Sequence, residues 1–229
     1  SNGNLTLSGM ISNFSLTNQI EVSGNNYIYA SLVNSNLDLD KDINLDDNKD
    51  SYKKLQILSS SIKNSKTIKG SKKEQLAIAQ ENTDDNPASK IKLLNNSKIE
   101  LTGEESVGIY GKRAEIDNKG SISVGEKSAA IYLVEDNGGK TLAGSAKNNG
   151  LITLGEYSSG MLYKSAVTGK YQALDGGIFN FGEIKSPAKN AIGMNFESSH
   201  NSKKIINETT GKIELECMLQ ELEIMKFKI

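Results

Sequence analysis

The sequence predicts an all-β protein: a right-handed parallel β-helix, or β-solenoid, with coils of about 23 residues and loop insertions. Three observations lead to this prediction. A short motif, Asn-x-Gly-x-Ile, recurs along the chain, and two short apolar segments follow most of its copies. The composition has 21 Gly, 2 Pro, no Trp and 6% aromatic residues, which suits a narrow stacked core better than a large compact one.

The spacing of the motif sets the length of one coil. Ungapped copies are Asn118–Ile122, Asn148–Ile152 and Asn180–Ile184; near copies are Asn95–Ile99, with Ser97 in the Gly position, and Asn64–Ile68; a stretched copy is Asn207–Ile213. Ile99 and Ile122 are 23 residues apart, and a weaker upstream series has Ile20, Ile43 and Ile68 at steps of 23 and 25. The other steps, of 29 to 32 residues, indicate coils with insertions.

Each repeat predicts three strands. The first is an alternating pair such as Ile122-Ser123-Val124, followed by a Gly-acid turn. The second is a small residue before an apolar pair, as in Ala130-Ile131-Tyr132, and the third is a short apolar run before the next Asn. We expect Asn and Gly to adopt the left-handed backbone conformation at that corner. We also expect the Asn side chains to stack into a hydrogen-bonded amide ladder.

The predicted organisation has two parts. Residues 1–215 form the solenoid, with weaker repeats in 1–90 and clear repeats in 95–215. Polar loop insertions are predicted at Glu81–Ala88, Glu135–Ala146, Thr168–Gly176 and Ser198–Lys204. Residues 216–229 form an atypical tail with apolar residues at helical spacing. Two interpretations of the tail stay open: a truncated or frameshifted end of the reading frame, or a capping helix.

The charge balance argues against nucleic-acid binding. The chain has 27 basic and 28 acidic residues, and Arg113 is its only arginine. Nucleic-acid binding favours a basic excess and aromatic residues for stacking. Cys217 is the single cysteine and cannot form an internal disulfide. No apolar run approaches the roughly 20 residues of a membrane-spanning helix.

We predict no catalytic, cofactor-binding or metal-binding residue. The acidic strip from Asp38 to Asp47 has Ile43 and Lys49 where a calcium loop of the EF-hand type needs Gly and Glu. Its apolar residues alternate with the acids, which favours a strand with a solvated acidic face. His200 is the only histidine, lies in a predicted loop, and has no Gly-x-Ser-x-Gly nucleophile motif to serve.

Two sets of residues recur at single repeat positions and allow a functional interpretation: Tyr110, Tyr132 and Tyr163, and Glu104, Glu126 and Glu156. We interpret the tyrosines as a half-buried stack that supports the wall, with an exposed aromatic stripe as the alternative. The glutamates leave open a second class of function, because glycosidases need two carboxylates about 5–10 Å apart. The alternative to a binding role is therefore a β-helical polysaccharide lyase or glycosidase.

The series Asn-x-Gly-x-Ile, Gly-Glu-x-Ser and Gly-Ile-Tyr resembles the passenger repeats of the large fusobacterial type V autotransporter adhesins. Residues 31–45 and 73–81 resemble non-repeated parts of the same passengers, and the likeness covers about residues 1–215. The resemblance implies a non-catalytic segment of a secreted β-helix at the bacterial cell surface. It would act as a stalk or an adhesive surface in attachment to host cells or other bacteria.

The partner that the resemblance implies is a host or bacterial surface protein or glycan, without a cofactor. Such passengers are exported through a carboxy-terminal outer-membrane barrel, and no segment of this sequence resembles one. Any contact with the membrane is therefore expected only through a barrel outside this sequence.

Overall fold

The computed structural model describes residues 10–12, 15–17, 31–33, 36–39, 42–47, 57–58, 61–82, 91–135, 144–165, 176–198 and 204–216. In these ranges the chain forms 23 short β-strands and one turn of 3-10 helix at Leu45–Asp47. Strands from successive coils pair in parallel and stack into sheets. The predicted all-β parallel solenoid is confirmed, and its handedness stays a prediction.

Three sheets form the faces of the solenoid. The first sheet contains β2 (Ser15–Thr17), β4 (Asn36–Leu39), β7 (Ser61–Asn64), β10 (Lys92–Asn95), β13 (Glu115–Asn118), β16 (Ser145–Asn148), β19 (Gly177–Asn180) and β22 (Lys204–Asn207). The second contains β5 (Ile43–Asn44), β8 (Ile68–Gly70), β11 (Lys98–Leu101), β14 (Ser121–Val124), β17 (Leu151–Leu154), β20 (Glu183–Ser186) and β23 (Lys212–Leu215). The third contains β9 (Leu76–Glu81), β12 (Val107–Lys112), β15 (Ala129–Glu135), β18 (Ser159–Ser165) and β21 (Ile192–Ser198).

A further sheet of three strands lies in the amino-terminal part of the chain, where its strands alternate with those of the first and second sheets. It contains β1 (Met10–Ser12), β3 (Ser31–Val33) and β6 (Ile57–Leu58), again paired in parallel. β6 lies next to β9 of the third sheet. The parallel arrangement therefore extends into the part of the chain with the weaker repeats.

The register of the second sheet matches the isoleucine series found in the sequence. The residues paired from strand to strand are Ile43, Ile68, Ile99, Ile122, Ile152, Ile184 and Ile213. Ile20, the remaining member of that series, lies outside the described residues. The shortest step, from Ile99 to Ile122, spans 23 residues. A one-residue slip would turn every isoleucine toward solvent, so the buried face fixes this register.

The core is a narrow column of apolar side chains that face inward from all three sheets. Ile99, Ile122, Ile152 and Ile184 form one row of it and are fully buried. Residues alternate between buried and half-buried along these strands, as in β14 and β17. Burying one such side chain stabilises the fold by about 1.5–3 kcal/mol relative to leaving it exposed.

The expected amide ladder runs along the corner between the first and second sheets. Its members, one per coil, are Asn64, Asn95, Asn118, Asn148, Asn180 and Asn207. Each side-chain nitrogen donates to the side-chain oxygen of the next member, at 2.7–2.8 Å. The first five members are fully buried. Since a buried amide without a partner is costly, the ladder holds adjacent coils in register.

The glycines of this corner have a different role from the one expected. Gly120, Gly150 and Gly182 do not have a left-handed φ. A Cβ on any of them would lie 1.9–2.1 Å from a backbone oxygen of the preceding coil, so they permit close stacking of the turns. Five of the six left-handed non-glycine residues in the described ranges lie instead at the corner between the second and third sheets, at Glu74, Glu105, Lys127, Tyr157 and Asn190.

A second ladder stabilises that left-handed corner. Ser106, Ser128 and Ser158 are buried there, and each hydroxyl accepts a hydrogen bond from a backbone N–H of the preceding coil at 2.9–3.1 Å. The hydroxyls of Ser106 and Ser128 donate in turn to the backbone oxygens of Glu104 and Glu126. The serine of the Gly-Glu-x-Ser pattern is therefore a structural residue that connects coils.

The corner between the third sheet and the next first-sheet strand is where the coils differ in length. After β12 the chain turns through Arg113 and Ala114 alone, whereas 9 to 11 residues separate β9, β15 and β18 from the strands that follow them, and 5 residues follow β21. The predicted insertion Glu135–Ala146 was too wide. Glu135 is the buried last residue of β15, and Ala146 is a core residue of β16. Most of each insertion lies outside the described residues.

Candidate functional site

A column of buried polar side chains underlies the corner from which the insertions leave. We call Asn82, Arg113, Glu135 and Ser165 the polar column. Each directly follows or ends a third-sheet strand, and the strand register places them at equivalent positions in successive coils. All four residues are buried. Charged residues are rarely buried without partners, so this column is the most unusual chemistry of the described core.

Glu135 connects three parts of the chain. Its carboxylate accepts a hydrogen bond from the backbone N–H of Gly144 at 2.7 Å and another from the hydroxyl of Tyr163 at 2.5 Å. Glu135 and Gly144 flank the insertion at 136–143, while Tyr163 belongs to the next coil. One carboxylate therefore closes the base of a loop and links it to the neighbouring coil.

Burial and the neighbouring carboxylate both affect Tyr163. Burial is the larger cause and the negative charge of Glu135 the second, and together they raise the pKa of Tyr163 well above its ordinary value. The hydroxyl therefore keeps its proton throughout the physiological pH range and remains a donor to Glu135. Its ring packs against Phe196 with the centroids 5.2 Å apart.

Arg113 has the same kind of role one coil earlier. Its guanidinium donates through Nε to the backbone oxygen of Asn82 at 3.0 Å, and a second guanidinium nitrogen contacts the same oxygen. Asn82 directly precedes the insertion at 83–90. Arg113 itself has a left-handed φ of 51°, as the tight two-residue corner requires. The arginine therefore anchors the start of the insertion below it.

The polar column suits loop anchoring better than reaction chemistry. Glu135 is only 1% exposed and Tyr163 is fully buried, so a substrate has no direct access to this carboxylate or phenol in the described structure. The sequence interpretation missed this set. The sequence offers one signal for this set, the isolated Arg113 in the coil with the shortest corner. Glu135 gives no signal, because it stands at the start of a polar stretch that is predicted to be a solvated loop.

The outer surface of the third sheet carries the tyrosine row, with one correction. Tyr110 and Tyr132 are paired in register and half-buried, with ring centroids 5.6 Å apart in an edge-on arrangement. Leu162, and not Tyr163, occupies the equivalent position in the next coil. Tyr163 is shifted by one residue and points into the core, because successive side chains on a strand face opposite sides.

The glutamates of the Gly-acid turns are arranged with lysines in a surface network. Lys73 bridges Glu104 and Glu105 at 3.0–3.3 Å, and Lys127 bridges Glu104 and Glu126 at 2.9–3.7 Å. Glu156 lies 3.4 Å from the amide of Asn190. Exposed pairs of this kind contribute little stability individually, about 0–1 kcal/mol each. Lysines are therefore interleaved with the glutamates of the Gly-acid turns.

The acidic strip does not form the single strand that the sequence suggested. Its residues are divided between β4, β5 and the 3-10 turn, which belong to different faces of the coil. The carboxylates accept hydrogen bonds from residues of the next coil. Asp38 accepts from Lys63 and Ser65, and Asp42 accepts from the backbone N–H of Thr67. Asp46 accepts from Ser71 and Gln75. The strip is therefore a set of links between coils.

Asp46 has the densest set of these links. Its carboxylate accepts from the backbone N–H of Ser71 at 2.9 Å, the hydroxyl of Ser71 at 2.7 Å and the amide of Gln75 at 2.9 Å. These hydrogen bonds, led by the backbone one, hold the pKa of Asp46 far below its ordinary 3.8. The charged form is thus part of the folded structure.

Several other predictions fall outside the described residues, including those for His200, Cys217 and the tail from 217 onward. Within the described ranges, no three His, Cys, Asp or Glu side chains come together as a metal site. No helix in those ranges is long and apolar enough to cross a membrane.

Comparison with known proteins gives no match, whether to a protein family, to a curated protein or to a solved structure.

Proposed function

We propose that this chain is a non-catalytic solenoid segment of a secreted bacterial surface protein, of the autotransporter passenger kind, that acts in attachment. The solenoid serves as a stiff support that holds its insertions out along one corner. The partner is a protein or glycan on a host cell or on another bacterium. The resemblance of the repeats to passenger repeats supports this assignment, and the solenoid fold is compatible with it.

One observation carries the proposal. From β7 onward, the three longest connections between successive strands, of 9 to 11 residues, leave the solenoid at the same corner, from the ends of β9, β15 and β18. The coils themselves vary little and are held by a continuous amide ladder. In solenoid proteins, insertions on one face are commonly the binding face. A regular support with variable loops on one side fits recognition of an extended partner.

The buried anchors beneath the loops favour the same interpretation. Arg113 bonds at the base of one insertion and Glu135 at both sides of the base of another. Fixing the ends of a loop reduces the entropy it loses when it binds a partner. A spacer alone has no need for such buried charges at loop bases.

A loop-trimming experiment tests the proposal. In one variant, residues 136–143 are replaced by a short corner that copies the Arg113-Ala114 connection of the uninserted coil. Fluorescent beads coated with the natural or the trimmed chain are then incubated with epithelial cells and with bacteria. We expect the natural chain to bind and the trimmed chain to lose most of its binding while its circular dichroism is unchanged.

A second assay addresses the enzymatic alternative. The natural chain is incubated with a panel of acidic and neutral polysaccharides, and new reducing ends or unsaturated uronates are measured. Turnover that persists after repurification would replace the attachment proposal by the lyase or glycosidase alternative. Equal binding of cells by the natural and trimmed chains would remove the 136–143 insertion from the binding surface.

A further inference from the structure

One corner of the amide ladder contains an Asn-Gly pair. Within the described ranges this pair occurs only at Asn149-Gly150, since the other ungapped copies of the motif have Lys119 or Phe181 before their glycine. Asn149 is exposed and Gly150 is half-buried. An asparagine that precedes glycine is chemically labile, because glycine has no side chain to shield its backbone nitrogen. This corner therefore has a reactive pair that the other two copies lack.

The backbone N–H of Gly150 forms weaker hydrogen bonds than its equivalents. Gly120 and Gly182 each donate to the backbone oxygen of the ladder asparagine in the preceding coil, at 3.0 and 2.8 Å. Among the described residues Gly150 has no such bond, and its N–H reaches only the side-chain oxygen of Asn148, at 3.3 Å. That oxygen already accepts from the ladder amide of the preceding coil at 2.7 Å. The nitrogen that can attack Asn149 is therefore the least restrained of the three.

We propose that Asn149 is a site of spontaneous deamidation in the folded chain, with water as the second reactant. The backbone nitrogen of Gly150 loses its proton and attacks Cγ of Asn149. A new C–N bond forms, the Cγ–Nδ2 bond breaks, and the amide nitrogen leaves as ammonia with the proton that Gly150 gave up. Water then opens the cyclic imide at either of its carbonyl carbons, which gives aspartate or isoaspartate. This modification is independent of the attachment role.

Both products alter the contact between two coils. Nδ2 of Asn149 donates to Asp117 of the preceding coil at 2.7 Å, so an aspartate there removes the donor and brings a second negative charge close to the first. Isoaspartate adds one atom to the backbone between Asn148 and Gly150. The corner has little room for it, because a Cβ on Gly150 would already lie 1.9 Å from the backbone oxygen of Gly120. We therefore expect isoaspartate to loosen β16 and β17, and aspartate at this exposed position to have little effect.

Ageing of the purified full chain tests the proposal. The chain is kept in mildly alkaline buffer and digested, and its peptides are quantified by mass spectrometry, with isoaspartate labelled by an isoaspartate-specific methyltransferase. We expect conversion at Asn149 to be about tenfold or more faster than at Asn96, which is exposed at the equivalent corner but precedes Ser97. Asn149→Lys, which copies the Lys119-Gly120 corner, is the matched control and should show no conversion there. Hydrogen-exchange protection of β16 and β17 should fall in the isoaspartate fraction alone.

A second condition separates reaction of the folded chain from reaction of the unfolded chain. A low concentration of denaturant multiplies the unfolded fraction, and conversion at Asn149 should not rise with it, because the folded corner itself reacts. A rate that rises in proportion to the unfolded fraction would overturn the proposal. Equal rates at Asn149 and Asn96 would also overturn it, as would a folded chain that stays unconverted while its denatured form reacts.

Discussion

The hydroxyl of Tyr163 donates a 2.5 Å hydrogen bond to the carboxylate of Glu135, which lies in the preceding coil. The same carboxylate accepts from the backbone of Gly144 across the base of an insertion. A buried carboxylate is tolerated because both of these donors approach it. The side chain of Glu135 therefore joins the base of the insertion, its own coil and the coil that follows.

Tyr163→Phe tests this link. Removing the hydroxyl takes away the hydrogen bond that Tyr163 donates to the buried carboxylate of Glu135, and the free energy of unfolding should fall by about 1.5–3 kcal/mol. Chemical denaturation of the two proteins gives the difference. The control is Tyr132→Phe on the outer surface of the same sheet, which should change stability by no more than about 0.5 kcal/mol. Equal effects of the two substitutions would contradict the assigned role of Glu135.

Asn118→Ala tests the amide ladder. Asn118 accepts from Asn95 and donates to Asn148, so the substitution leaves two buried amides each short of a partner. We expect a loss of about 2–4 kcal/mol in the free energy of unfolding. Asn149→Ala, at a neighbouring exposed residue that bonds Asp117 on the surface, is the control and should have little effect. If both variants are equally stable, the ladder does not hold the coils together.

Gly150→Ala tests close stacking of the turns. The added methyl group would lie 1.9 Å from the backbone oxygen of Gly120, so a turn must move. We expect destabilisation of about 3 kcal/mol or more, measured as a reduced Tm or as insoluble expression. Ser97 occupies the equivalent position in an earlier coil and already has a Cβ, so Ser97→Ala is the matched control. A normal Tm for Gly150→Ala would show that this corner is looser than the structure describes.

Acid unfolding tests Asp46. Since the folded pKa of Asp46 is depressed, its contribution to stability is present above the unfolded value near 3.8 and is lost as the pH falls through and below that value. Asp46→Asn should therefore lower Tm at pH 6 and make Tm less dependent on pH below about 4. Thermal unfolding of both proteins from pH 2 to 6 measures this. Parallel pH profiles would mean that the carboxylate is not held by Ser71 and Gln75.

Removing one coil tests whether stability depends on neighbouring coils alone. Deleting residues 99–121 removes 23 residues, joins Lys98 to Ile122, and brings Asn95 into position to bond Asn148. A solenoid with nearest-neighbour contacts should remain folded and cooperative, with the same circular dichroism per residue. Deleting only 99–113 breaks the register and should abolish folding. Loss of folding in both variants would indicate long-range coupling along the stack.

The sequence predicted the coils well because their determinants are local and repeated. Ile99 and Ile122 identify the inward face, and Asn95 and Asn118 identify the corner, so register follows from counting residues. The position of the left-handed residues was missed because non-glycine residues such as Glu105 and Lys127 adopt that conformation, and no residue type marks it. Glycine was expected to adopt the left-handed conformation, but the glycines of the Asn-x-Gly corner are required instead by the close steric contact between coils.

The polar column was hidden for a different reason. Burial of Glu135 depends on Gly144 and on Tyr163 in the next coil, which are 9 and 28 residues away. Sequence periodicity gives no sign of such contacts where an insertion interrupts it. Tyr163 was misplaced similarly, since a one-residue shift in β18 leaves the pattern of apolar residues intact but reverses the side chain.

The amide ladder has a direction. Every Nδ2 from Asn64 to Asn180 donates toward the carboxy-terminal side, and Asn207 turns its own Nδ2 to the backbone of Gly211. Leu39 occupies the position before Asn64 in the sheet, so the amide ladder begins at Asn64. The two ends are thus chemically unlike, as in a polar filament. Two carboxy-terminal ends would oppose donor to donor and two amino-terminal ends acceptor to acceptor, so chains that joined through this corner would have to join head to tail.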